Sequence, residues 1–254
     1  MRQFGLIGRT LSHSFSQTYF EQKFHNQGLA ADHRFGLFEL AEIRELPALL
    51  QQHPNLAGLS VTVPYKEAVW PYLDEVAPSA QRVGAINCIA VGAGGRLVGH
   101  NTDVVGFGES LRRWAPALLR QGPAVRALVL GTGGAAKAVE AALRELGIAY
   151  WLVSRHALAA GLTYDDLTPA LVAAHPLIIN ATPLGTFPGI DECPPLPYHA
   201  LTPQHYLHDL VYNPAETRFL RQGREAGAHT KNGFEMLCLQ AEAAWDIWNG
   251  QANS

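Results

Sequence analysis

Short apolar runs alternate with longer amphipathic segments along almost the whole chain. The runs at 4–7, 56–63 and 125–130 are typical of buried strands, and the segments between such runs carry the apolar spacing of helices. This alternation predicts an α/β protein with largely parallel sheets. We find no internal repeat.

The pattern divides into two predicted α/β units. In the first unit we expect strands at 4–7, 33–38 and 56–63, helices at 14–27 and 42–52, and a hairpin of 85–91 and 96–100. In the second we expect helices at 104–119 and 135–146, with strands at 125–130, 148–153, 177–180 and 206–211. A last helix over 234–248 has an apolar stripe suited to packing on the first unit. We therefore predict a substrate domain of 1–103 completed by 232–254, a nucleotide-binding domain of 104–231, and a cleft between them.

Composition excludes several classes of function. The 254 residues carry a net charge of −3 and no run of Lys or Arg longer than a pair, which argues against nucleic acid and anionic membranes as partners. The apolar stretch at the N-terminus is too short for a signal peptide or membrane anchor. The cysteines Cys88, Cys193 and Cys238 lie far apart, which argues against disulfides and zinc and favours the cytoplasm. The 11 histidines show no metal-ligand spacing, so we expect no metal.

A glycine-rich loop, Gly131-Thr132-Gly133-Gly134-Ala135, joins a predicted buried strand to a predicted helix. Glycines there allow a tight turn and close approach of a pyrophosphate, and the start of the helix directs N–H groups at phosphate. This context favours a dinucleotide site over a plain strand-to-helix turn.

The next predicted strand ends in Ser154-Arg155-His156, with no Asp or Glu. An NAD site typically has a carboxylate there for the ribose hydroxyls, whereas a cation suits the 2′-phosphate of NADP. Ser154 and Arg155 therefore favour NADP, and a solvated surface arginine is the alternative.

Polar clusters follow the ends of several predicted strands in the first unit, where open α/β sheets bind ligands. Ser14 and Ser16 lie at the start of a helix, where they can hold a carboxylate, although Ser14 alone is more typical of a helix cap. Lys66 and Asp103 follow two strand ends and can form the acid/base pair that oxidation of an alcohol needs. As isolated residues they are more typical of a structural ion pair.

Eight segments, in this order, carry a resemblance to a known family: 7–16, 61–67, 84–88, 99–107, 131–136, 180–185, 212–214 and 232–237. Across nearly its whole length the chain resembles the shikimate dehydrogenases. The resemblance implies reversible reduction of 3-dehydroshikimate by NADPH, in the biosynthesis of chorismate and the aromatic amino acids. It implies a cytoplasmic enzyme, a monomer or homodimer, with a small-molecule substrate.

The resemblance also implies roles for individual residues. Lys66 and Asp103 become the catalytic pair. The implied substrate contacts are Ser14, Ser16, Thr62, Asn87 and Gln240, with Tyr212 beside the substrate. The implied cofactor contacts are Gly131, Gly133, Gly134, Ala135, Ser154 and Arg155, with Thr182 and Gly233 at the nicotinamide. Short polar side chains suit a small carboxylate with three hydroxyls. The alternatives are local roles, with Asn87 bonded to backbone, Tyr212 in the core and Thr182 capping a turn. No histidine receives a role, including His13 inside the first segment.

Two segments depart from the pattern common in the family. Ser60 stands where Asn is frequent, and Ser154-Arg155-His156 stands where Asn-Arg-Thr is frequent. The alternatives are an NAD-dependent quinate/shikimate dehydrogenase, a methylenetetrahydrofolate dehydrogenase, and a catalytically silent NADP-binding regulator. The quinate/shikimate dehydrogenase would have an acidic residue near Arg155. The methylenetetrahydrofolate dehydrogenase would lack the polar set of Ser14, Ser16, Asn87 and Gln240. The silent regulator would bind NADP without turnover, and the retained pair of Lys66 and Asp103 argues against it.

Overall fold

The computed structural model describes residues 1–11 and 14–251. Ser12 and His13, within the first serine-containing segment, lie outside the described residues, as do the last three residues of the predicted C-terminal segment. The chain forms two compact units, Met1–Thr102 with Gln240–Ser254, and Asp103–Leu239. The first unit thus takes up the chain again at Gln240, within the last helix, rather than at residue 232.

The first unit is built on a six-stranded mixed sheet with the order β2-β1-β3-β5-β6-β4. Its strands are β1 (Arg2–Gly8), β2 (His33–Glu39), β3 (Leu56–Val61), β4 (Glu75–Val76), β5 (Cys88–Val91) and β6 (Leu97–His100). Its helices are α1 (Phe15–Asn26), α2 (Leu46–Gln52), α3 (Tyr65–Ala68) and α4 (Pro78–Val83). The predicted hairpin is β5 and β6, which makes the sheet mixed because β5 runs antiparallel to both of its neighbours.

The second unit contains a six-stranded parallel sheet with the order β12-β11-β10-β7-β8-β9. Its strands are β7 (Arg126–Leu130), β8 (Ala149–Ser154), β9 (Leu162–Thr163), β10 (Leu177–Asn180), β11 (Tyr206–Asp209) and β12 (His229–Lys231). The helices from here to the end are α5 (Asp103–Trp114), α6 (Pro116–Leu119), α7 (Gly134–Glu145), α8 (Pro169–Ala173), α9 (Arg218–Glu225) and α10 (Phe234–Trp248). This architecture confirms the predicted α/β class and the Rossmann-type second sheet.

The core of the first unit lies on both faces of its sheet. Phe4 of β1 faces Phe20 and Phe24 of α1 and the end of α10, where the ring centroid of Trp248 lies 5.1 Å from that of Phe4. The Trp248 indole donates a hydrogen bond to the Ile89 carbonyl at 3.0 Å. The apolar stripe of the last helix therefore does pack on the first sheet, as its spacing predicts.

Several predicted elements differ from the structure, among them the strand over 85–91, which begins at Cys88, and the strand over 206–211, which ends at Asp209. The helix over 104–119 is two helices, because Pro116 has no N–H for the hydrogen bond that would continue α5. The strand over 56–63 ends at Val61, and the helix over 42–52 forms as a single 3₁₀ turn, Ile43–Glu45, followed by α2. In the described part of the chain, no helix is long and apolar enough to cross a bilayer.

Candidate active site

The buried Asn87 side chain organises one end of the first sheet. The Thr102 backbone N–H donates to Asn87 Oδ1 at 2.7 Å, and Asn87 Nδ2 donates back to Thr102 Oγ1 at 2.9 Å. The Thr102 hydroxyl also lies within 3.4 Å of Gln240 Oε1 on α10. Two of the predicted substrate residues, Asn87 and Gln240, are therefore joined through a third residue that the sequence interpretation did not select.

Backbone hydrogen bonds hold Thr62 and Lys66 in the same region. The Val61 N–H donates to the Asn87 carbonyl at 2.8 Å, and the Ile86 N–H donates to the Lys66 carbonyl at 2.7 Å. Both Thr62 and Lys66 are half-buried. These two hydrogen bonds join the segment 61–66 to the segment 86–87, and they place Thr62, Lys66 and Asn87 close together.

The two serines lie at the start of α1. Ser14 is the N-cap residue, and its Oγ accepts a hydrogen bond from the Gln17 N–H at 3.3 Å. The local role that the sequence allowed for Ser14 is therefore present in the structure. Ser16 lies in the first helical turn, and both serines are half-buried. Cap geometry leaves N–H groups of the first turn directed out of the helix, as an anion site requires.

Asp103 opens the second unit. It is the first residue of α5, and its side chain is 9% exposed. The helix dipole favours an acidic side chain at this position in the first turn.

A pocket of about 420 Å³ lies within the second unit, at the carboxyl ends of the parallel strands. Its lining includes five of the predicted cofactor residues, Gly131, Gly133, Ser154, Arg155 and Thr182. The rest of its lining is Thr132, Val153, His156, Tyr164, Ala181, Pro183, Leu184 and Pro195. Gly134 and Ala135, which begin α7, are not part of this lining.

The glycine-rich loop has the features that a pyrophosphate needs. Gly131 has φ of 109°, and a Cβ there would lie 3.1 Å from Thr182 Cγ2 and 3.2 Å from the Ala181 carbonyl oxygen. Gly133 is the N-cap of α7, where it has no side chain to occupy the first N–H groups, and nothing lies within 4 Å of its Cβ position. The start of α7 is therefore open to an anion.

Arg155 contributes a positive charge to the lining of this pocket. Its side chain is exposed just beyond β8, and the Ser154 hydroxyl accepts a hydrogen bond from the His156 N–H at 3.2 Å. Burial raises the pKa of the neighbouring Tyr164, and the Arg155 guanidinium opposes that rise. The lining of the pocket thus includes the N-cap of α7, a cation and an aromatic ring, a set that fits an adenine nucleotide with a 2′-phosphate.

Thr182, Tyr212 and Gly233 follow three different elements of the second unit. The Thr182 hydroxyl donates to Asn180 Oδ1 at 2.6 Å and accepts from the Leu184 N–H at 3.3 Å, so it caps a turn as the sequence allowed. Tyr212 is 38% exposed and therefore not a core residue. Gly233 is buried, and a Cβ there would lie 2.1 Å from the Leu210 carbonyl oxygen, which only a glycine avoids.

Sequence interpretation missed Thr102 and Tyr164. Thr102 lies within 99–107, one of the segments that carry the family resemblance, and that segment is the signal that could have identified it. Tyr164 follows a strand of only two residues, which leaves no periodic signal. Among the described residues, no group of three or more His, Cys, Asp or Glu side chains is arranged to hold a metal ion.

Comparisons with known proteins identify one family. The family model described as the shikimate dehydrogenase substrate binding domain matches residues 6–89. The shikimate dehydrogenase (NADP(+)) of Desulforamulus reducens is 36% identical over 271 residues, which cover 97% of this chain and 89% of that protein. The shikimate dehydrogenase (NADP(+)) of Thermus thermophilus is 37% identical, with 98% and 93% covered.

Solved structures show the same fold. The shikimate 5-dehydrogenase of Thermus thermophilus in complex with NADP(H) and shikimate is 31% identical, with a TM-score of 0.83 and coverage of 100% and 95%. The quinate dehydrogenase of Corynebacterium glutamicum in complex with NAD is 30% identical, with a TM-score of 0.86 and coverage of 98% and 94%.

Proposed function

The chain belongs to the shikimate dehydrogenase family, and on that premise we propose that it reduces 3-dehydroshikimate to shikimate reversibly with NADPH, in chorismate and aromatic amino acid biosynthesis. The observation that carries this proposal is the pairing of an Asn87, Thr102 and Gln240 network in one unit with an Arg155-containing nucleotide pocket in the other. The first supplies polar contacts for a small polyol, and the second supplies a cation for a 2′-phosphate.

In the second unit, the chain's own residues fit NADP. The N–H groups at the start of α7, from Gly133 through Gly134 to Ala135, bind the pyrophosphate, and Gly131 keeps the loop close to it. Ser154 and Arg155 bind the 2′-phosphate. Thr182 and Gly233 border the nicotinamide. NADPH supplies a hydride from its nicotinamide C4 when it is bound.

In the first unit, short polar side chains hold the substrate. Ser14 and Ser16, with the N–H groups at the start of α1, bind the carboxylate. Asn87, Thr62 and Gln240 bind the ring hydroxyls, and the Asn87 side chain is held rigid by its bonds to Thr102. Tyr212 would contact the substrate, as the family resemblance implies. Rigid polar partners reject analogues that lack a matching hydroxyl.

Lys66 moves the proton. In the reducing direction its ammonium would donate a proton to the substrate oxygen, and in the oxidising direction its amine would take that proton back. Asp103 acts with Lys66 as the second member of the pair and orients it electrostatically. General acid/base assistance of this kind contributes about 100-fold to 10,000-fold.

An NAD-dependent quinate/shikimate dehydrogenase is the second candidate. The quinate dehydrogenase of Corynebacterium glutamicum was solved with NAD, and the shikimate 5-dehydrogenase of Listeria monocytogenes was solved with shikimate and NAD. Against this candidate, β8 ends at Ser154 and Arg155 follows it, with no carboxylate for the ribose hydroxyls.

We infer a cytoplasmic setting for the protein. All three cysteines lie in the described part of the chain and none forms a disulfide. As a monomer or homodimer it would act on a small molecule without nucleic acid or membrane. The two units would serve as a substrate domain, about 1–103 completed by the C-terminal helix, and a nucleotide domain.

The experiment that tests the proposal is initial-rate absorbance at 340 nm with shikimate or quinate, each with NADP or NAD. Selective turnover of shikimate with NADP is the expected result. Turnover only with quinate or only with NAD would favour the second candidate. Binding of NADP without any turnover would instead indicate a silent regulator.

A further inference from the structure

A buried carboxylate that the proposed chemistry does not use lies at the end of β11. Asp209 has no solvent exposure, and its two oxygens accept three hydrogen bonds. Oδ1 accepts from Asn180 Nδ2 at 2.9 Å and from the Val211 N–H at 3.0 Å, and Oδ2 accepts from the Thr217 hydroxyl at 2.5 Å. A charge retained in such a place destabilises the fold unless hydrogen bonds compensate for its burial.

The first contact fixes the orientation of the Asn180 amide. Asn180 lies at the end of β10, is fully buried, and uses its Oδ1 to accept from both the N–H and the hydroxyl of Thr182. An ionised carboxylate accepts hydrogen bonds and cannot donate them. Asp209 therefore holds Asn180 with its NH₂ group toward the carboxylate and its oxygen toward Thr182.

Asn180 in turn fixes the Thr182 side chain. The Thr182 hydroxyl gives its one hydrogen to Asn180 Oδ1, so its rotamer is set and its methyl group points at the glycine-rich loop. That methyl group would lie 3.1 Å from a Cβ on Gly131. A chain of hydrogen bonds therefore runs from a buried carboxylate to a side chain in the wall of the nucleotide pocket.

The second hydrogen bond of Asp209 connects it to Gly233, the other predicted neighbour of the nicotinamide. Asp209 accepts from the Val211 N–H, and the Val211 carbonyl accepts from the Gly233 N–H at 3.1 Å. The Leu210 N–H also donates to the Asn180 carbonyl at 2.9 Å. One carboxylate is thus bonded toward both Thr182 and Gly233, which stand far apart in the sequence.

We propose that Asp209 and Asn180 are positioning residues for the nicotinamide end of the cofactor, because together they fix Thr182 and the backbone that carries Gly233. This inference rests on the proposed function, in which Thr182 and Gly233 border the nicotinamide. Asp209 and Asn180 are themselves fully buried and act only through these neighbours.

The ionisation of Asp209 agrees with this role. Burial raises its pKa to about 6, and the hydrogen bonds from Thr217, Val211 and Asn180 oppose that rise. The carboxylate is therefore ionised at neutral pH, in the state that can only accept hydrogen bonds.

The test compares Asp209→Ala and Asp209→Asn with a matched control, Asp191→Asn, whose side chain is exposed in the same unit. Three quantities are measured: kcat for shikimate oxidation, the affinity and stoichiometry of 2′,5′-ADP by calorimetry, and the nicotinamide fluorescence of bound NADPH. The compound 2′,5′-ADP contains only the adenosine half of NADP, so it reports the Arg155 end of the pocket alone.

We expect Asp209→Ala to lower kcat about 100-fold, since a misplacement of about 1 Å at a reacting group has that effect. Asp209→Asn keeps the shape and one acceptor oxygen, so its loss should be smaller. In both variants the affinity and stoichiometry of 2′,5′-ADP should match the control, while the fluorescence of bound NADPH changes. A parallel loss of kcat and of 2′,5′-ADP binding sites would show a merely structural role and overturn the inference.

A second test exchanges the side chains of Asn180 and Asp209, and it applies even if the Asp209→Ala variant does not fold. Asn180→Asp alone places two carboxylates in contact. Asn180→Asp with Asp209→Asn restores a donor opposite an acceptor in that contact, while the Val211 N–H loses its acceptor. The double variant should recover kcat by about tenfold over Asn180→Asp, as expected when a charged hydrogen bond is restored. No recovery would overturn the inference. A wild-type protein that binds 2′,5′-ADP but does not oxidise shikimate would overturn the proposed function first, and these outcomes are therefore distinguishable.

Discussion

Removing the Arg155 charge should change the choice between NADP and NAD. The side chain lines the nucleotide pocket just beyond β8, and its positive charge acts on the neighbouring Tyr164 hydroxyl. A hydrogen bond to a charged group contributes about 1.5 to 3 kcal/mol. Because Arg155 is exposed, solvent screens it, and we expect the lower end, about 1.5 kcal/mol or about tenfold in affinity. NAD has no 2′-phosphate, so Arg155→Gln should leave its use almost unchanged.

The assay is kcat/KM for NADP and for NAD at saturating shikimate, with Arg126→Gln as the control. Arg126 is an exposed arginine at the opposite end of β7 from the glycine-rich loop, about 15 Å away along the strand. The ratio of the two kcat/KM values should fall about tenfold in Arg155→Gln and stay constant in Arg126→Gln. The difference in this ratio between the wild type and Arg155→Gln should become smaller as the salt concentration is raised. Equal losses with NADP and NAD would refute the assignment of Arg155 to the 2′-phosphate.

Three further predictions concern single residues. Lys66→Ala should lower kcat by about 100-fold to 10,000-fold with little change in 2′,5′-ADP affinity, and unchanged turnover would exclude the proton role. Gly233→Ala brings a Cβ to 2.1 Å from the Leu210 carbonyl oxygen, so the backbone must move, and a thermal melt should show Tm lower by about 5 °C. Burial, with the Lys231 charge, lowers the pKa of His208 to about 3, so the unfolded chain binds a proton below about 6.5 that the folded chain does not. Between pH 7 and pH 5 the free energy of unfolding should fall by about 2 kcal/mol more in the wild type than in His208→Leu, measured by urea unfolding, and parallel pH profiles would contradict it.

The long, periodic elements were predictable from the sequence because each follows one face of a sheet or helix. β7 and α7 meet at the glycine-rich loop as predicted, and α10 forms over the predicted range. The short strands β4, β9 and β12 were missed, since two or three residues carry no period. They are strands only because a neighbour pairs with them, β4 with β6, β9 with β8 and β12 with β11.

The residue types of the candidate site were also predictable, but their partners were not. Asn87 and Gln240 were selected for their chemistry, yet Thr102, which joins them, has a role only because the fold brings together residues 138 positions apart. The same holds for Asp209, whose hydrogen bond to Asn180 spans 29 positions. Sequence spacing indicates which side chains share a face, whereas hydrogen-bond partners across strands depend on the order of the strands in the sheet.

Local roles and functional roles coincide at several of these positions. Ser14 caps α1 and Thr182 caps a turn, and in both cases the cap fixes a segment whose backbone or side chain the proposed ligand would meet. The Thr182 hydroxyl donates its one hydrogen to Asn180, so in the proposed site it would give the nicotinamide a fixed surface and no donated hydrogen bond. Arg155, by contrast, extends an exposed charge into the pocket and can act directly. Substitution should therefore separate the two kinds of residue, with changes at Thr182 and its partners lowering kcat and changes at Arg155 lowering cofactor affinity.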